Sequence, residues 1–367
     1  MISFETVYSR IPIWLQNLMV SSYGAKLYSE RYCGIHKEFL QFLLKSQWFS
    51  YEMHQKYQLK RLQELIAHAY SNVKYYRKVF KSSIVPEVQI RNLEDLKCLP
   101  ILEKETVRNN RDELIAGNIN KKNCLYLNTS GTTGTSLKIL TTINDRRREY
   151  AFVSRYQTWA GLNGPRRGVV IGGRNILPNE TTKNIFWRYN AILKVYLFSS
   201  YHISEKNLPY YIQKLQKINP IYIDSYPSSL YLLAYYIKRH GVTGINPRTL
   251  LTSAETLHEY QRKMIESAFG TRVFDQYGCT EQSVFISQCE KGTYHIHPEY
   301  GIVEILDSEG NEVQPGQVGR VVATGFLNEA MPLIRYDLGD VVVKGEVSCA
   351  CGRSFPTVES ICGRSDD

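Results

Sequence analysis

The residues Tyr126-Leu-Asn-Thr-Ser-Gly-Thr-Thr-Gly-Thr135 join a short apolar lead to an unbroken run of hydroxyl and glycine side chains. Thr129, Ser130, Thr132, Thr133 and Thr135 supply hydroxyl donors, while Gly131 and Gly134 let the backbone turn its N–H groups toward an anion. That is the chemistry of a phosphate cradle. It is not a Walker A loop, because no Gly-Lys-Ser/Thr closes it and the first lysine comes at Lys138. A Ser/Thr/Gly run alone is more often an ordinary loop, so its meaning depends on what else the chain carries.

Three further segments each invite a role in the same chemistry. Ser253-Ala-Glu-Thr256 follows the apolar pair Leu250-Leu251, Tyr277-Gly-Cys-Thr-Glu281 follows Val273-Phe274, and Arg335-Tyr-Asp-Leu-Gly-Asp340 lies among short strand patterns. A tyrosine offers a face to adenine, Thr280 a hydroxyl to a phosphate, Glu281 a hard oxygen to Mg²⁺, and Asp340 a bidentate acceptor to ribose hydroxyls. Each also has a duller reading: Tyr-Gly turns are common, Glu281 could be a surface charge, and Asp340 after Gly339 could only hold a turn. Cys279 reads as a small buried filler, with no His/Asp partners at a spacing that would make it a nucleophile.

Elements must position these segments. From Pro12 to about Leu114 the apolar spacing is helical, as in Tyr57, Leu59, Leu62, Leu65, Ile66 and Ala69. Strand patterns at Leu137–Thr142, Gly168–Gly173, Leu193–Phe198, Pro220–Asp224, Arg248–Thr252 and Arg272–Asp275 then alternate with helical ones at Asn207–Ile218, Leu230–Ile237 and Leu257–Phe269. Such alternation predicts an α/β fold with a parallel or mixed sheet, whose ligands bind beyond the carboxyl ends of strands. After about His295 the elements shorten to strands separated by Gly and Pro, including Gly301–Leu306, Gly319–Thr324 and Leu333–Tyr336. The expected organisation is a helical region at 1–117, an α/β nucleotide-binding core at 118–294, a small β subdomain at 295–362 and a hinge at 363–367.

Composition excludes other classes. The 367 residues are 43% apolar, enough for a sizeable core, and no stretch approaches 18 uncharged apolar residues. The start lacks the basic and apolar regions of a signal peptide, so the expected compartment is the cytoplasm. Eight scattered cysteines in so large a chain point to reduced thiols. The net charge of +10 is dispersed, and Arg146-Arg147-Arg148 suits a solvated helix face better than a polyanion groove, so neither nucleic acid nor an integral membrane segment is expected.

The ordered set Thr129–Gly134, Ser253–Glu255, Tyr277–Glu281, Arg335–Asp340 and Gly363-Arg-Ser-Asp-Asp367 resembles the adenylate-forming, acyl-activating superfamily over essentially the whole chain. The branch resembled is the phenylacetate–coenzyme A ligase group, with its capsule-biosynthesis members. The resemblance implies that Thr129, Ser130, Gly131, Thr132, Thr133 and Gly134 hold the ATP β- and γ-phosphates. It implies that Ser253, Ala254 and Glu255 line adenine, that Tyr277, beside Gly278, stacks on it, and that Thr280 contacts the α-phosphate. Glu281 would hold Mg²⁺, Asp340 the ribose, and Arg364 would approach the ribose near the hinge at Asp366. His202 would lie near the acyl pocket, as a catalytic candidate or a structural histidine. The activity implied is that of an AMP-forming ligase acting on a small carboxylic acid, with coenzyme A or an amine or hydroxyl of a surface polysaccharide as acceptor. A non-catalytic nucleotide-binding protein is the alternative, and a monomer or homodimer is expected.

The chain also departs from the pattern. Ser136 replaces a usual proline, Lys138 falls one place late, and Asp337-Leu338 stands where the branch carries Arg-Thr. The sequence ends at the expected hinge, so a C-terminal domain bearing a catalytic lysine is expected to be missing and this chain to be inactive by itself. Finally, Cys289, His295, Cys349 and Cys351 would make a closed, tetrahedral structural zinc site of three thiolates and one imidazole. Four unrelated reduced residues are the alternative, and the resemblance favours the zinc. His297 is the substitute nitrogen ligand, disfavoured because Pro298 constrains its backbone.

Overall fold

The structure, a computed structural model, describes residue 8 and residues 11–82, 90–129, 136–163, 167–177, 184–346 and 348–364. The loop residues Ser130, Gly131, Thr132, Thr133, Gly134 and Thr135, and the tail from Ser365 to Asp367, lie outside these.

The chain opens with helices α1 (Ile13–Tyr32), α2 (His36–Ser46), α3 (Tyr51–Asn72) and α4 (Lys74–Ser82). Ser50 caps α3 by accepting from Met53 N at 3.3 Å, and the buried residues of α3 fall at His54, Gln58, Leu62, Leu65, Ile66 and Ala69, one face of a 3.6-residue period. Strands β1 (Cys124–Asn128) and β2 (Lys138–Thr142) pair antiparallel and lead into α5 (Ile143–Trp159). Thr142 Oγ1 accepts from Asp145 N at 3.0 Å and Asp145 Oδ2 accepts from Thr142 N at 3.4 Å, a reciprocal cap that burial accompanies by pushing Asp145 up to about 6. There follow β3 (Gly168–Gly172), β4 (Trp187–Asn190), β5 (Val195–Ser199), α6 (Leu208–Ile218), β6 (Tyr222–Ser225), α7 (Pro227–His240), β7 (Thr249–Ser253), α8 (Glu259–Phe269) and β8 (Val273–Gly278). Asn219, Gly241 and Gly270 end the three helices α6, α7 and α8 in the left-handed conformation. The last strands are β9 (Phe285–Gln288), β10 (Tyr294–Ile296), β11 (Gly301–Leu306), β12 (Val318–Gly325), β13 (Tyr336–Lys344) and β14 (Thr357–Arg364). The fold is mixed α/β, as expected.

Contacts divide the chain into two compact units, Met1–Ser29 with Gln157–Gln276, and Glu30–Tyr156 with Tyr277–Asp367. This division cuts across the expected boundaries at 117, 294 and 362, because apolar helix faces seek sheet faces regardless of chain order.

In the first unit the strand order is β8-β7-β6-β3-β5-β4, parallel except for β4. Its core joins Val169, Ile171, Ile223 and Leu250 of the strands to Tyr211, Leu215, Leu230, Leu233 and Ile265 of the helices. The edge strand β4 was not expected from sequence. The first helix covers it: Arg188 Nε donates to Gln16 at 2.5 Å, Tyr189 N to Asn17 at 3.0 Å and Asn190 Nδ2 to Val20 O at 3.1 Å. Gly24 allows this approach, since a Cβ there would meet Asn190 Nδ2 at 2.2 Å.

In the second unit the antiparallel order is β11-β12-β13-β14-β10-β9. Leu62, Ile66, Leu96, Val107, Ile139, Ile286, Ile305, Val321 and Val342 share its core. The strand expected at Leu333–Tyr336 instead starts at Tyr336, because Arg335 sits at φ +50° and breaks the extended run. A fully buried ion pair lies in this unit: Arg155 Nη1 reaches Glu299 Oε1 at 2.7 Å and Nη2 reaches Oε2 at 3.0 Å, with Ser46 Oγ donating to Glu299 at 2.5 Å. The charges are tolerated because guanidinium and carboxylate meet at two points and Ser46 adds a further bond to the carboxylate.

Candidate active site

In the second unit two strand-borne segments are tied by tyrosine–carboxylate hydrogen bonds. Tyr277 donates its hydroxyl to Asp340 Oδ2 at 2.6 Å, and Tyr336 donates to Glu281 Oε1 at 3.0 Å. Arg364 Nε lies 3.3 Å from Asp340 Oδ1, and its Nη1 donates to Leu338 O at 2.8 Å, because β14 pairs Arg364 opposite Asp340. Burial raises Asp340 above the usual carboxylate range despite the Tyr277 hydroxyl and the Arg364 charge, and burial together with Asp340 holds Tyr277 protonated well above its ordinary value. The Asp340 carboxylate is thus fixed from two sides.

Glu281 is buried, at 7% exposed, and Tyr336 is fully so. Among the described residues Tyr336 is the hydrogen-bond donor to this carboxylate, and Oε2 is engaged by none of them. The next residue, Gln282, adopts φ +58°, a strained conformation for a side chain of its size. It is held there by Thr141 Oγ1, which donates to Gln282 Oε1 at 2.7 Å, and by Glu149 Oε2, which accepts from Gln282 Nε2 at 2.6 Å. Glu149 in turn pairs with Arg146 at 2.6 Å, so part of the basic run on α5 serves this buttress. Ala254, at φ +69°, and Arg335, at φ +50°, are strained as well, so among the described residues three of the five left-handed non-glycine residues lie in or directly beside the motifs.

The other sequence candidates are placed as follows. Thr280 is half-buried in the turn after β8, and Gly278 ends that strand. Cys279 lies 3.2 Å from Ser283 Oγ, and burial pushes its thiol up to about 12, which suits a filler and not a nucleophile. Thr129 closes the neck of the expected phosphate loop: its N–H donates to Leu137 O at 2.9 Å, its hydroxyl accepts from Leu137 N at 2.8 Å, and its carbonyl accepts from Ser136 Oγ at 2.6 Å. Ser136, where a proline was expected, is therefore part of that neck.

In the first unit Ser253 ends β7, Ala254 is the exposed left-handed residue, and Glu255 Oε2 accepts from Ser228 N at 3.0 Å, capping α7. His202 Nδ1 lies 2.8 Å from Ser199 Oγ, and its ring stacks on Phe186 at 5.9 Å between centroids. Tyr201 and Tyr226 converge on Gly173, since a Cβ there would meet Tyr201 Oη at 3.0 Å and Tyr226 Oη at 3.2 Å.

The structure also brings Cys289, His295, Cys349 and Cys351 together, with one ligand atom from each within 4.8 Å of all the others. Cys289 and Cys349 sulfurs are 3.7 Å apart, and Cys351 Sγ is 3.4 Å from His295 Nε2. Burial, then the Arg353 charge, lowers His295 to about 4, leaving a neutral imidazole at ordinary pH. The substitute ligand His297 is otherwise occupied: Arg155 Nη2 donates to its Nδ1 at 2.5 Å, and its Nε2 is 2.8 Å from Ser287 Oγ.

Sequence reading missed Tyr336, Gln282, Thr141 and Glu149. Tyr336 lay inside a segment already singled out, yet nothing local marks a hydroxyl that serves a carboxylate in another segment.

The fold is that of the adenylate-forming ligases. An open-conformation structure of 2-hydroxyisobutyryl-CoA ligase, in complex with 2-HIB-AMP and CoA, matches with a TM-score of 0.68 at 18% identity, over 88% of this chain and 78% of that one. No protein-family model matches the sequence. Protein CapK of Staphylococcus aureus is 30% identical over 363 residues, spanning 98% of this chain and 78% of CapK. A phenylacetate–coenzyme A ligase of Thermus thermophilus is 26% identical over 324 residues, 84% of this chain and 70% of that enzyme. The chain belongs to the family of CapK and the phenylacetate–coenzyme A ligases within the adenylate-forming ligases.

Proposed function

We propose that this protein activates a carboxylic acid with ATP. A carboxylate oxygen attacks the α-phosphorus, the bond to the β-phosphate breaks, and pyrophosphate leaves; an acceptor then attacks the carbonyl of the acyl-adenylate and AMP departs. The acceptor is coenzyme A or, in the CapK-like direction, an amine or hydroxyl in surface-polysaccharide assembly, and the site of action is the cytoplasm. Among the described residues no helix is long and apolar enough to cross a membrane.

The pair of hydrogen bonds Tyr277–Asp340 and Tyr336–Glu281 carries this reading, because it readies one carboxylate for ribose hydroxyls and another for a hard cation within one unit. Thr280 supplies a hydroxyl to the α-phosphate, Arg364 holds Asp340 toward the ribose, and the Thr129–Gly134 loop takes the departing phosphates. Ser253, Ala254 and Glu255 are assigned to adenine and His202 to the wall of the acid pocket. No protein nucleophile is needed, since stabilising charge and fixed geometry suffice for such a transfer. The donor chemistry fits Mg²⁺: Glu281 is a buried carboxylate with one oxygen engaged by a hydroxyl and the other by none of the described residues. When bound, the ion neutralises phosphate charge.

The Cys/His cluster fits zinc, which we assign a structural role. About 2.3 Å bonds at tetrahedral angles place two sulfurs about 3.8 Å apart, close to the 3.7 Å between Cys289 and Cys349. Metal analysis of protein purified without chelator tests this: about one zinc per chain is expected, and none after Cys349→Ser with Cys351→Ser.

Pyrophosphate exchange against aromatic, fatty and sugar acids tests the main reading, measured on the protein as its host makes it. Exchange with one acid class is expected. No exchange with any acid, beside intact AMP binding, would make it a nucleotide-binding protein without the ligase chemistry.

A further inference from the structure

We propose that Tyr336 is a positioning residue that leaves Glu281 one oxygen for metal and thereby selects magnesium over calcium, an inference that rests on Glu281 being the ligand assigned above. The Tyr336 hydroxyl donates to Glu281 Oε1 at 3.0 Å from a fully buried ring. That ring cannot swing away. Tyr336 begins β13 opposite Ala323, while Leu102 N donates to Arg335 O at 2.8 Å and Asp337 N to Leu102 O at 3.1 Å, clasping it from the other side. Arg335, left-handed just before it, is held by Glu304 through Nε at 3.0 Å and Nη2 at 2.8 Å, and Thr324 Oγ1 accepts from Arg335 N at 2.9 Å. Glu281 is gripped at its other end too, because Gln282, at φ +58°, has its side-chain amide held by Thr141 and Glu149. The carboxylate is thus held in place, and chelation through both oxygens would have to compete with the Tyr336 hydroxyl for Oε1.

This restriction discriminates between cations. Mg²⁺ takes about six oxygens in a tight octahedron at roughly 2.0–2.1 Å and accepts single carboxylate oxygens, whereas Ca²⁺ takes about 6–8 at roughly 2.3–2.6 Å and readily uses both oxygens of one carboxylate. Freeing Oε1 by removing the Tyr336 hydroxyl would give calcium the arrangement it prefers.

The test uses Mn²⁺ as a paramagnetic probe of the 367-residue chain saturated with α,β-methylene-ATP, displaced by Mg²⁺ or Ca²⁺ and read by electron paramagnetic resonance. The wild-type chain should prefer Mg²⁺ over Ca²⁺ by roughly tenfold more than the nucleotide alone does, and Tyr336→Phe should lose about that factor while still binding Mn²⁺. An unchanged Mg²⁺/Ca²⁺ ratio in folded Tyr336→Phe would overturn the proposal. So would a wild-type ratio equal to that of the nucleotide alone, a measurement that needs no variant to fold. Glu281→Ala should release Mn²⁺; if it binds Mn²⁺ as wild type does, the assignment of Glu281 as ligand fails instead.

Discussion

Asp340 shows how one side chain can be prepared for a ligand. Its Oδ2 receives the Tyr277 hydroxyl and its Oδ1 faces Arg364, so the carboxylate is held from both sides, as its proposed role toward ribose requires. Replacing it with Ala should weaken AMP binding by about 1–3 kcal/mol, the scale of hydrogen bonds to a charged group. Calorimetry giving equal AMP affinity for wild type and Asp340→Ala would remove the ribose assignment. His54 illustrates a different cost. It is 2% exposed, packed between Phe49 and Phe355, and neither ring nitrogen has a partner among the described residues. Burial lowers its proton affinity, ahead of an opposing pull from Glu299. A histidine lowered on folding stabilises fully above its ordinary value of about 6.5, and that stability drains away as pH falls. The melting-temperature advantage of His54→Phe over wild type should therefore widen from pH 7 to pH 5; a constant offset across that range would contradict the assignment.

At the scale of elements, the site depends on close passage of one backbone over another. The end of β12 runs beneath the turn after Glu281: a Cβ on Gly325 would meet Gln282 O at 2.6 Å and Ser283 Cα at 2.8 Å. These are backbone atoms and cannot rotate aside. Gly325→Ala should cost about 1–3 kcal/mol, the range of overpacking, and should displace the strained Gln282 that aims Glu281. Urea denaturation reads the first effect and Mn²⁺ binding the second. A variant with wild-type stability would show that the strand end has slack. The hairpin β1–β2 does comparable work at the neck of the loop proposed to hold phosphate, since its register brings Thr129 and Leu137 together there.

For the whole molecule, each unit has its own apolar core, and the second gathers chain from both halves of the sequence. Cys289 and Cys349 are 60 residues apart yet adjacent in space, so a bound zinc would tie together two distant stretches. An ion that binds only the folded chain stabilises it by mass action. Removing zinc should lower the melting temperature by roughly 5 °C or more, taking about 2–4 °C for each kcal/mol. Thermal melts with and without chelator, on wild type and on Cys349→Ser with Cys351→Ser, check this: the double variant should melt low and ignore the chelator. Identical melts under all four conditions would dismiss a stabilising ion.

The sequence by itself determined what depends on neighbours along the chain. Helices such as Leu208–Ile218 and Glu259–Phe269 are legible because apolar period, caps and left-handed stops are all local. Motifs such as Tyr277–Glu281 are legible because one strand and its turn carry them whole. Strands β4, β9 and β10, of four, four and three residues, offer too few alternations to be read, and their existence depends on partners elsewhere. The preference for His295 over His297 could be read from Pro298, but that Arg155, far away in the chain, engages His297 could not. Only the tertiary structure decided that Tyr336 serves Glu281 across 55 residues, that Tyr277 serves Asp340 across 63, and that Gln282 leans on Thr141 across 141. Residue type limits what each group can donate or accept, but which groups meet is set by the order in which strands pair.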